Sequence, residues 1–280
     1  MGSHLLRDNV LAEMNKKMPF MSEFWLHIQN LSHIEASSLF SFRYLIHLNI
    51  DNAKSISEKK IRGLGALRDL KWLRIDTGKF DDNEFYSALL KLKKLKKLYL
   101  SNIKCNSSKY FFAISKLSQL TAVHLFNCQK ANFKNVTNIV CNLKHIEEFE
   151  LSLPLNLSCY VLPWIDSFIH LKDLRLTSLR DVSDLSVGSF LFKLTNLKIL
   201  FLDELNGLTT VTFDLIAQKL TMLRALSVDS IGNSESTSLK LLALPYLMYF
   251  KTNQIAMTHE VKLFAENQNI ILFEHDFFPF

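Results

Sequence analysis

The sequence predicts an α/β solenoid of stacked repeats, in which short parallel strands alternate with helices. Three observations lead to this prediction. Leucine supplies 50 of the 280 residues, whereas glycine supplies only 7 and proline only 5. The chain is 48% hydrophobic, with a mild net charge of +6. Its apolar residues recur with a period close to 25 residues.

The composition excludes several other classes of protein. A chain this apolar buries a substantial core, which excludes disordered and collagen-like classes. The shortage of glycine argues against a β-sandwich or barrel, because those folds need many tight turns. Charged residues interrupt every apolar stretch well before the ~20 residues that a membrane-spanning helix requires.

A six-residue frame with apolar side chains at its first, fourth and sixth positions carries the periodicity. Leu95, Leu98 and Leu100 form the clearest copy. The copies start at residues 21, 45, 70, 95, 120, 146, 171, 197, 223, 244 and 267. We expect these three positions to point inward and to stack on those of neighbouring copies, because one repeat alone cannot bury its apolar face.

This L-x-x-L-x-L frame at a fixed period resembles that of leucine-rich-repeat proteins, over about residues 18–275. The resemblance implies a curved horseshoe with parallel strands on its concave face and helices on its convex face. Repeats of 25–26 residues that contain helices are similar to those of F-box adaptors and intracellular immune receptors. One departure is the ninth position, where the family often has Asn or Cys and where this chain has apolar residues such as Ala53 and Ile103.

The elements follow from this frame in order. Residues 1–4 are typical of residual cloning sequence, and 5–18 predict a capping helix whose apolar face is Leu6, Val10, Leu11 and Met14. Residues 19–280 are predicted to form a single domain of about 11 repeats. Helices preceded by capping Ser, Thr or Asp residues are predicted at 85–92, 110–117, 213–220 and 261–266. A C-terminal cap is predicted from Phe273, Phe277, Phe278 and Phe280.

Cysteines and motifs indicate neither a metal site nor an enzyme. The four cysteines lack the spacing of zinc ligands and lie in apolar segments, which predicts small core residues in a reducing, cytoplasmic (intracellular) compartment. Gly63-Leu-Gly65 lacks the third glycine of a dinucleotide-binding loop, and no nucleophile elbow, HExxH or P-loop is present. We therefore expect no catalytic residue and no cofactor.

The side chains at the third, fifth and seventh positions of each frame are expected to face outward, because side chains alternate along a strand. Aromatic residues and arginine are frequent there, and these dominate binding hot spots; aromatic residues also favour strands for packing reasons alone. Phe201, Met248 and Phe250 are expected to form a second, smaller apolar group. The candidate partner-binding residues are Trp25, His47, Asp51, Trp72, Arg74, Asp76, Tyr99, His124, Phe126, Arg175 and Phe201.

These features predict a non-enzymatic module that binds a protein or peptide on its concave face. By resemblance, it is the sensing domain of a larger intracellular receptor of the nucleotide-binding immune type. The alternatives are the substrate-recognition domain of an F-box ubiquitin-ligase adaptor, or a stand-alone scaffold or pathogen effector. The basic run Lys91–Lys97 is too narrow to favour nucleic acid, but binding of an anionic ligand there stays open.

Overall fold

The computed structural model describes residues 13, 14, 16–18, 26–28, 40–51, 53–56, 60–128, 130–152, 162–178, 182–205, 207–228, 235–252 and 258–273. The chain divides into two compact units, Met1–His145 and Ile146–Phe280. Each unit is an α/β structure in which short parallel strands alternate with helices, as the sequence predicts.

Within the described part of the first unit, parallel strands pair in the order of the sequence. They are β1 (Leu26–Ile28), β2 (His47–Ile50), β3 (Trp72–Lys79), β4 (Lys97–Lys104) and β5 (Ala122–Phe126). The register joins equivalent positions of successive repeats, so that Leu48 pairs with Leu73 and Leu73 pairs with Leu98. These three side chains are fully buried. The leucines of the frame therefore form the continuous core that the pattern predicts.

Helical segments of two types follow strands β2 to β5. Short 3₁₀ segments cover Ala53–Ser55 and Lys60–Ala66, and the α-helices are α1 (Asp82–Leu89), α2 (Lys109–Ser115) and α3 (Phe133–Asn142). Helix α1 begins three residues earlier than predicted because the Asp81 carboxylate accepts bonds from the backbone of Asn83 and Glu84, each at 3.0 Å. Such a side-chain cap satisfies amide groups that have no partner within the helix.

The second unit repeats this arrangement. Its parallel strands are β6 (Glu148–Ser152), β7 (Asp173–Thr177), β8 (Ile199–Asp203), β9 (Ala225–Val228), β10 (Tyr249–Lys251) and β11 (Ile271–Phe273). Its helical segments are a 3₁₀ turn at Leu162–Ser167 and α4 (Asp184–Leu191), α5 (Thr210–Lys219), α6 (Glu235–Leu242) and α7 (His259–Asn267). Thr258 caps α7 as predicted, by accepting a bond from Val261 N. Thr209, rather than the predicted Thr212, caps α5.

The register of the last two repeats differs from the one that the sequence pattern indicates. Phe250 pairs with Leu226, which occupies the fourth position of its repeat, so the tenth frame is Leu247, Phe250 and Thr252. The predicted frame, which starts at Leu244, was wrong by three residues. Leu272 in turn pairs with Phe250, which moves the eleventh frame by two residues. The segment LALPYLMYF contains overlapping L-x-x-L spacings, and the pattern alone selects the wrong one.

A residue with positive φ stands at the eighth position of several frames, within β3 and β4 and directly after β5, β7 and β8. These residues are Thr77, Asn102, Asn127, Ser178 and Glu204, with φ between 47° and 58°. This left-handed conformation is rare in residues other than glycine, and asparagine tolerates it best. The chain thus turns at the eighth position, one residue before the position where an asparagine was expected from the resemblance. At the ninth position, Cys128 donates from its thiol to the carbonyl of Leu100 at 3.4 Å.

Several predictions lie wholly or largely outside the described residues. The first repeat is described only at 26–28, and the capping helix only at 13, 14 and 16–18, where Met18 N donates to the Met14 carbonyl at 2.8 Å. Phe277, Phe278 and Phe280 also lie outside. The boundaries of a single domain at 19–280 therefore stay a prediction.

Candidate functional site

The outward strand face of the first unit, defined as the side of β2–β5 opposite the buried leucines, carries most of the predicted site residues. On β3, Leu73 and Ile75 are buried, whereas Trp72, Arg74 and Asp76 between and beside them are half-buried or exposed. The alternation predicted from the sequence is therefore present. Trp25 lies outside the described residues.

Four rings on this face form a continuous series, here called the aromatic row: His47, Trp72, Tyr99 and His124. The ring centroids of His47 and Trp72 are 6.5 Å apart, those of Trp72 and Tyr99 5.5 Å, and those of Tyr99 and His124 4.3 Å. These separations are typical of interacting aromatic side chains. Cross-strand packing of this kind holds each ring in place. The row is consequently a largely preformed aromatic surface across four strands.

The aromatic row has an exposed edge on each side. Arg74 is exposed and pairs in register with Tyr99, so this residue lies beside the aromatic row. Phe126, at the end of β5, is 45% exposed. Asp51 follows β2 and is half-buried. The predicted residues of the first unit that the structure describes thus share one face.

A chain of polar side chains, here called the polar row, joins successive repeats at the end of these strands. Asn127 donates from Nδ2 to Oδ1 of Asn102 at 2.7 Å, and Asn102 donates from Nδ2 to Oδ1 of Asp76 at 3.0 Å. Thr77 donates its hydroxyl to the other oxygen of Asp76 at 2.8 Å. Because these asparagines occupy the eighth position, the same residue type provides both the turn and the ladder.

The Asp76 carboxylate is a fixed negative charge in this row. Partial burial raises the pKa of Asp76, but hydrogen bonds from Asn102, Ser101 and Thr77 and the charge of Arg74 outweigh that effect. The pKa of Asp76 therefore lies below its ordinary value, and the group is ionised at neutral pH. Sequence reasoning selected Asp76 but missed its asparagine partners, although Asn52, Asn102 and Asn127 recur at intervals of 50 and 25 residues.

In the second unit, the equivalent face carries an ion pair between Asp173 and Arg175, which packs against the ring of Phe201. Arg175 donates to both carboxylate oxygens of Asp173, from Nε at 3.0 Å and from Nη2 at 2.8 Å. Its guanidinium carbon lies 4.7 Å from the centroid of the Phe201 ring. Although burial alone lowers it, the pKa of Arg175 is raised overall, first by the bonds to Asp173 and then by Glu150 and Glu148.

Several side chains on this face of the second unit are buried, so the predicted second apolar group is not an exposed surface. Phe201 lies on the predicted face but is only 7% exposed, and Ser227 and Lys251 beside it are also buried. Phe250 was predicted to face outward, and this was wrong: the register of β10 places it in the core with no exposed surface. Tyr249 takes the outward third position instead, with its ring 6.1 Å from that of Phe273.

The three described cysteines divide into core and surface residues, and Cys159 lies outside the described residues. Burial raises the pKa of the Cys105 and Cys128 thiols to about 12 each, which disfavours the reactive thiolate. Cys141 on α3 is exposed, contrary to the prediction that all four lie in the core, because it falls on the outer side of the helix. Among the described residues, no group of three or more His, Cys, Asp or Glu side chains is placed to hold a metal ion. The helices of the described part are all too short or too polar to span a bilayer.

Comparison with known proteins identifies the fold. No protein-family model matches the sequence, and no curated protein matches it significantly. Among solved structures, a chain of the yeast Rad7–Elc1 complex is similar over 94% of this chain and 81% of its own length, with 14% identity and a TM-score of 0.59. An internalin from Listeria monocytogenes is similar over 86% of this chain and 72% of its own, with 16% identity and a TM-score of 0.53. The chain has a leucine-rich-repeat fold.

Proposed function

We propose that this chain is a non-enzymatic recognition module, and that it binds a protein or peptide on the outward strand face of its first unit. The observation that carries the proposal is the aromatic row, in which four rings in mutual contact lie beside the exposed Arg74. Tryptophan, tyrosine and arginine contribute most of the energy in many interfaces. A partly exposed band of such residues on a folded surface is typical of an interaction site.

The surroundings of the row define the chemistry of the partner. Asp76 is ionised and held by the polar row, and Asp51 lies on the neighbouring strand end. A peptide with an apolar or aromatic anchor and a nearby lysine or arginine satisfies both features. The rings would take the anchor, and Asp76 would take the cation.

The rigidity of the site favours binding without a large cost in conformational entropy. Ring contacts fix the side chains of Trp72 and Tyr99, and hydrogen bonds fix Asp76. A surface that is already ordered loses little entropy when it binds.

The proposed parent of this module is a larger intracellular receptor of the nucleotide-binding immune type, in which the repeats sense a ligand on a concave face. Two alternatives remain open. One is the substrate-recognition domain of an F-box ubiquitin-ligase adaptor. The other is a stand-alone scaffold or pathogen effector.

The experiment selects peptides from a displayed random library against the whole chain and measures their affinities by fluorescence polarisation. We expect the selected peptides to bind a Trp72→Ala/Tyr99→Ala variant at least about tenfold more weakly than the wild type. The matched control is Trp164→Ala/Tyr246→Ala, which removes one exposed tryptophan and one exposed tyrosine from the second unit. Equal weakening in both variants, or none in the first, contradicts the proposed site.

A further inference from the structure

A basic cleft lies in the first unit, and none of the residues of the aromatic row lines it. The cleft has a volume of about 840 Å³, which is within the range of small-molecule sites. It lies where three consecutive repeats lead into β2, β3 and β4. Its lining residues are Phe40, Arg43, Tyr44, Lys60, Arg62, Gly63, Gly65, Ala66, Arg68, Asp69 and Lys91.

The charge of this cleft is strongly positive. Five of the lining side chains are cationic and one is a carboxylate, which leaves four net positive charges. The carboxylate, Asp69, already accepts a bond from Lys94 at 2.6 Å. In contrast, Arg43, Arg68 and Lys91 are exposed and form no ion pair with any described residue. Their charges are therefore directed at solvent and are available to a ligand.

The repeat aligns two of these cations. Arg43 and Arg68 each stand two residues before the first position of their frame, in repeats whose strands β2 and β3 are paired in register. Neighbouring strands lie about 4.8 Å apart, so the backbones of equivalent residues lie close together. Two guanidinium groups that follow this spacing present several donors to the oxygens of one anion. Guanidinium groups bind phosphate oxygens through paired hydrogen bonds.

Two glycines form part of the cleft wall and permit close packing there. A Cβ atom at Gly63 would lie 2.4 Å from Cδ2 of Phe40, and one at Gly65 would lie 2.8 Å from Cδ of Lys91. The absence of side chains at these positions lets the Phe40 ring and the Lys91 stem lie against the 3₁₀ segment. Phe40 is buried and Tyr44 is 47% exposed, so the wall contains one buried and one partly exposed aromatic ring.

We propose that this cleft binds a compound that carries at least two phosphate groups. Arg43, Arg68 and Lys91 come from three successive repeats and carry three positive charges. Two or three linked phosphates balance these charges more fully than the two charges of a single phosphate. Such a site is separate from the proposed recognition of a protein or peptide and does not depend on it.

The test is isothermal titration of the whole chain with tripolyphosphate at low and at physiological ionic strength. We expect binding by the wild type that weakens as salt increases. An Arg43→Gln/Arg68→Gln variant is expected to bind at least about tenfold more weakly, because it loses two charge-assisted contacts. The matched control is Lys144→Gln/Arg224→Gln, which removes two exposed cations that lie outside the cleft. The Trp72→Ala/Tyr99→Ala variant is expected to bind as the wild type does.

These outcomes distinguish binding at a defined site from nonspecific attraction to the positive charge of the chain. Absence of binding by the wild type, or equal weakening in the cleft variant and its control, would overturn the proposal. Orthophosphate is expected to bind more weakly than tripolyphosphate, and equal affinity also counts against a site for several phosphates. Phosphatidylcholine vesicles with and without phosphatidylinositol bisphosphate then distinguish a lipid headgroup from a soluble compound as the source of the phosphates.

Discussion

Asn127 donates a hydrogen bond from its side-chain amide to the Oδ1 atom of Asn102 in the preceding repeat, at 2.7 Å. Both residues have positive φ, 47° and 54°, at the eighth position of their repeats. Asn102 in turn donates a hydrogen bond to Asp76, one repeat further back. The turn of the backbone and the order of the candidate site thus depend on the same asparagine side chains.

Replacement of Asn102 by alanine is expected to lower the free energy of unfolding by about 2 kcal/mol. It removes three side-chain hydrogen bonds, to Asp76 and Ser101 and from Asn127. It also places at positive φ a residue that tolerates this conformation less well than asparagine. Asn102→Gly is expected to lose about 1 kcal/mol less, because glycine adopts this conformation freely. Urea denaturation of both variants measures the difference. The control is Asn196→Ala, at an exposed asparagine without positive φ. If Asn102→Ala costs no more than this control, the ladder contributes nothing to stability.

The ionisation of Asp76 is expected to make part of the stability depend on pH. Burial raises the pKa of Asp76 in the folded chain, but its hydrogen bonds and the charge of Arg74 lower it more. The pKa therefore lies below the ordinary value of an aspartate. The contribution is therefore present above about pH 4, the unfolded pKa, and is lost as the pH falls through the folded pKa. Thermal unfolding from pH 7 to pH 3 is expected to show the wild type losing its advantage over Asp76→Asn. A difference that stays constant over this range would contradict the assignment.

The residues on the outward face of the first unit could be predicted from the sequence. Apolar residues at the fourth and sixth positions fix which side chains point inward, so Trp72 and Tyr99 have to point outward. The polar row was not predicted, because the frame is defined by its apolar residues and its eighth position varies in type between repeats, from Asn102 to Leu153. The burial of Phe201 depends on Arg175 from the neighbouring strand, and a pattern within one repeat holds no information about such contacts.

The pair formed by Asp173 and Arg175 provides a test of the second unit. Their side chains are only 11% and 16% exposed, so Asp173→Ala leaves a largely buried guanidinium without its main partner. We expect a loss of about 2 kcal/mol in the free energy of unfolding, less than for a fully buried pair because Glu150 and Glu148 remain near Arg175.

Two further variants show whether this loss comes from an unpaired charge. Asp173→Ala/Arg175→Met is expected to recover part of the stability, because the double variant leaves no charge behind. Glu147→Ala breaks the exposed pair with Lys172, whose atoms lie 2.7 Å apart, and is expected to cost less than about 1 kcal/mol. Equal losses for the two single variants in chemical denaturation would show that burial of the Asp173 pair has no energetic consequence.

The corrected register of β10 makes Phe250 a core residue, and its stability contribution tests that register. Phe250 pairs with Leu226 and has no exposed surface, whereas Tyr246, four residues earlier, is 56% exposed. Phe250→Ala is expected to cost about 3–5 kcal/mol, since it leaves a cavity in a packed core. Tyr246→Ala is expected to cost about 0.5 kcal/mol or less, as is usual for surface positions. The frame that starts at Leu244 places both residues on the outward face, so it requires small and similar losses for the two variants. Urea denaturation of the two single variants therefore decides between the two registers.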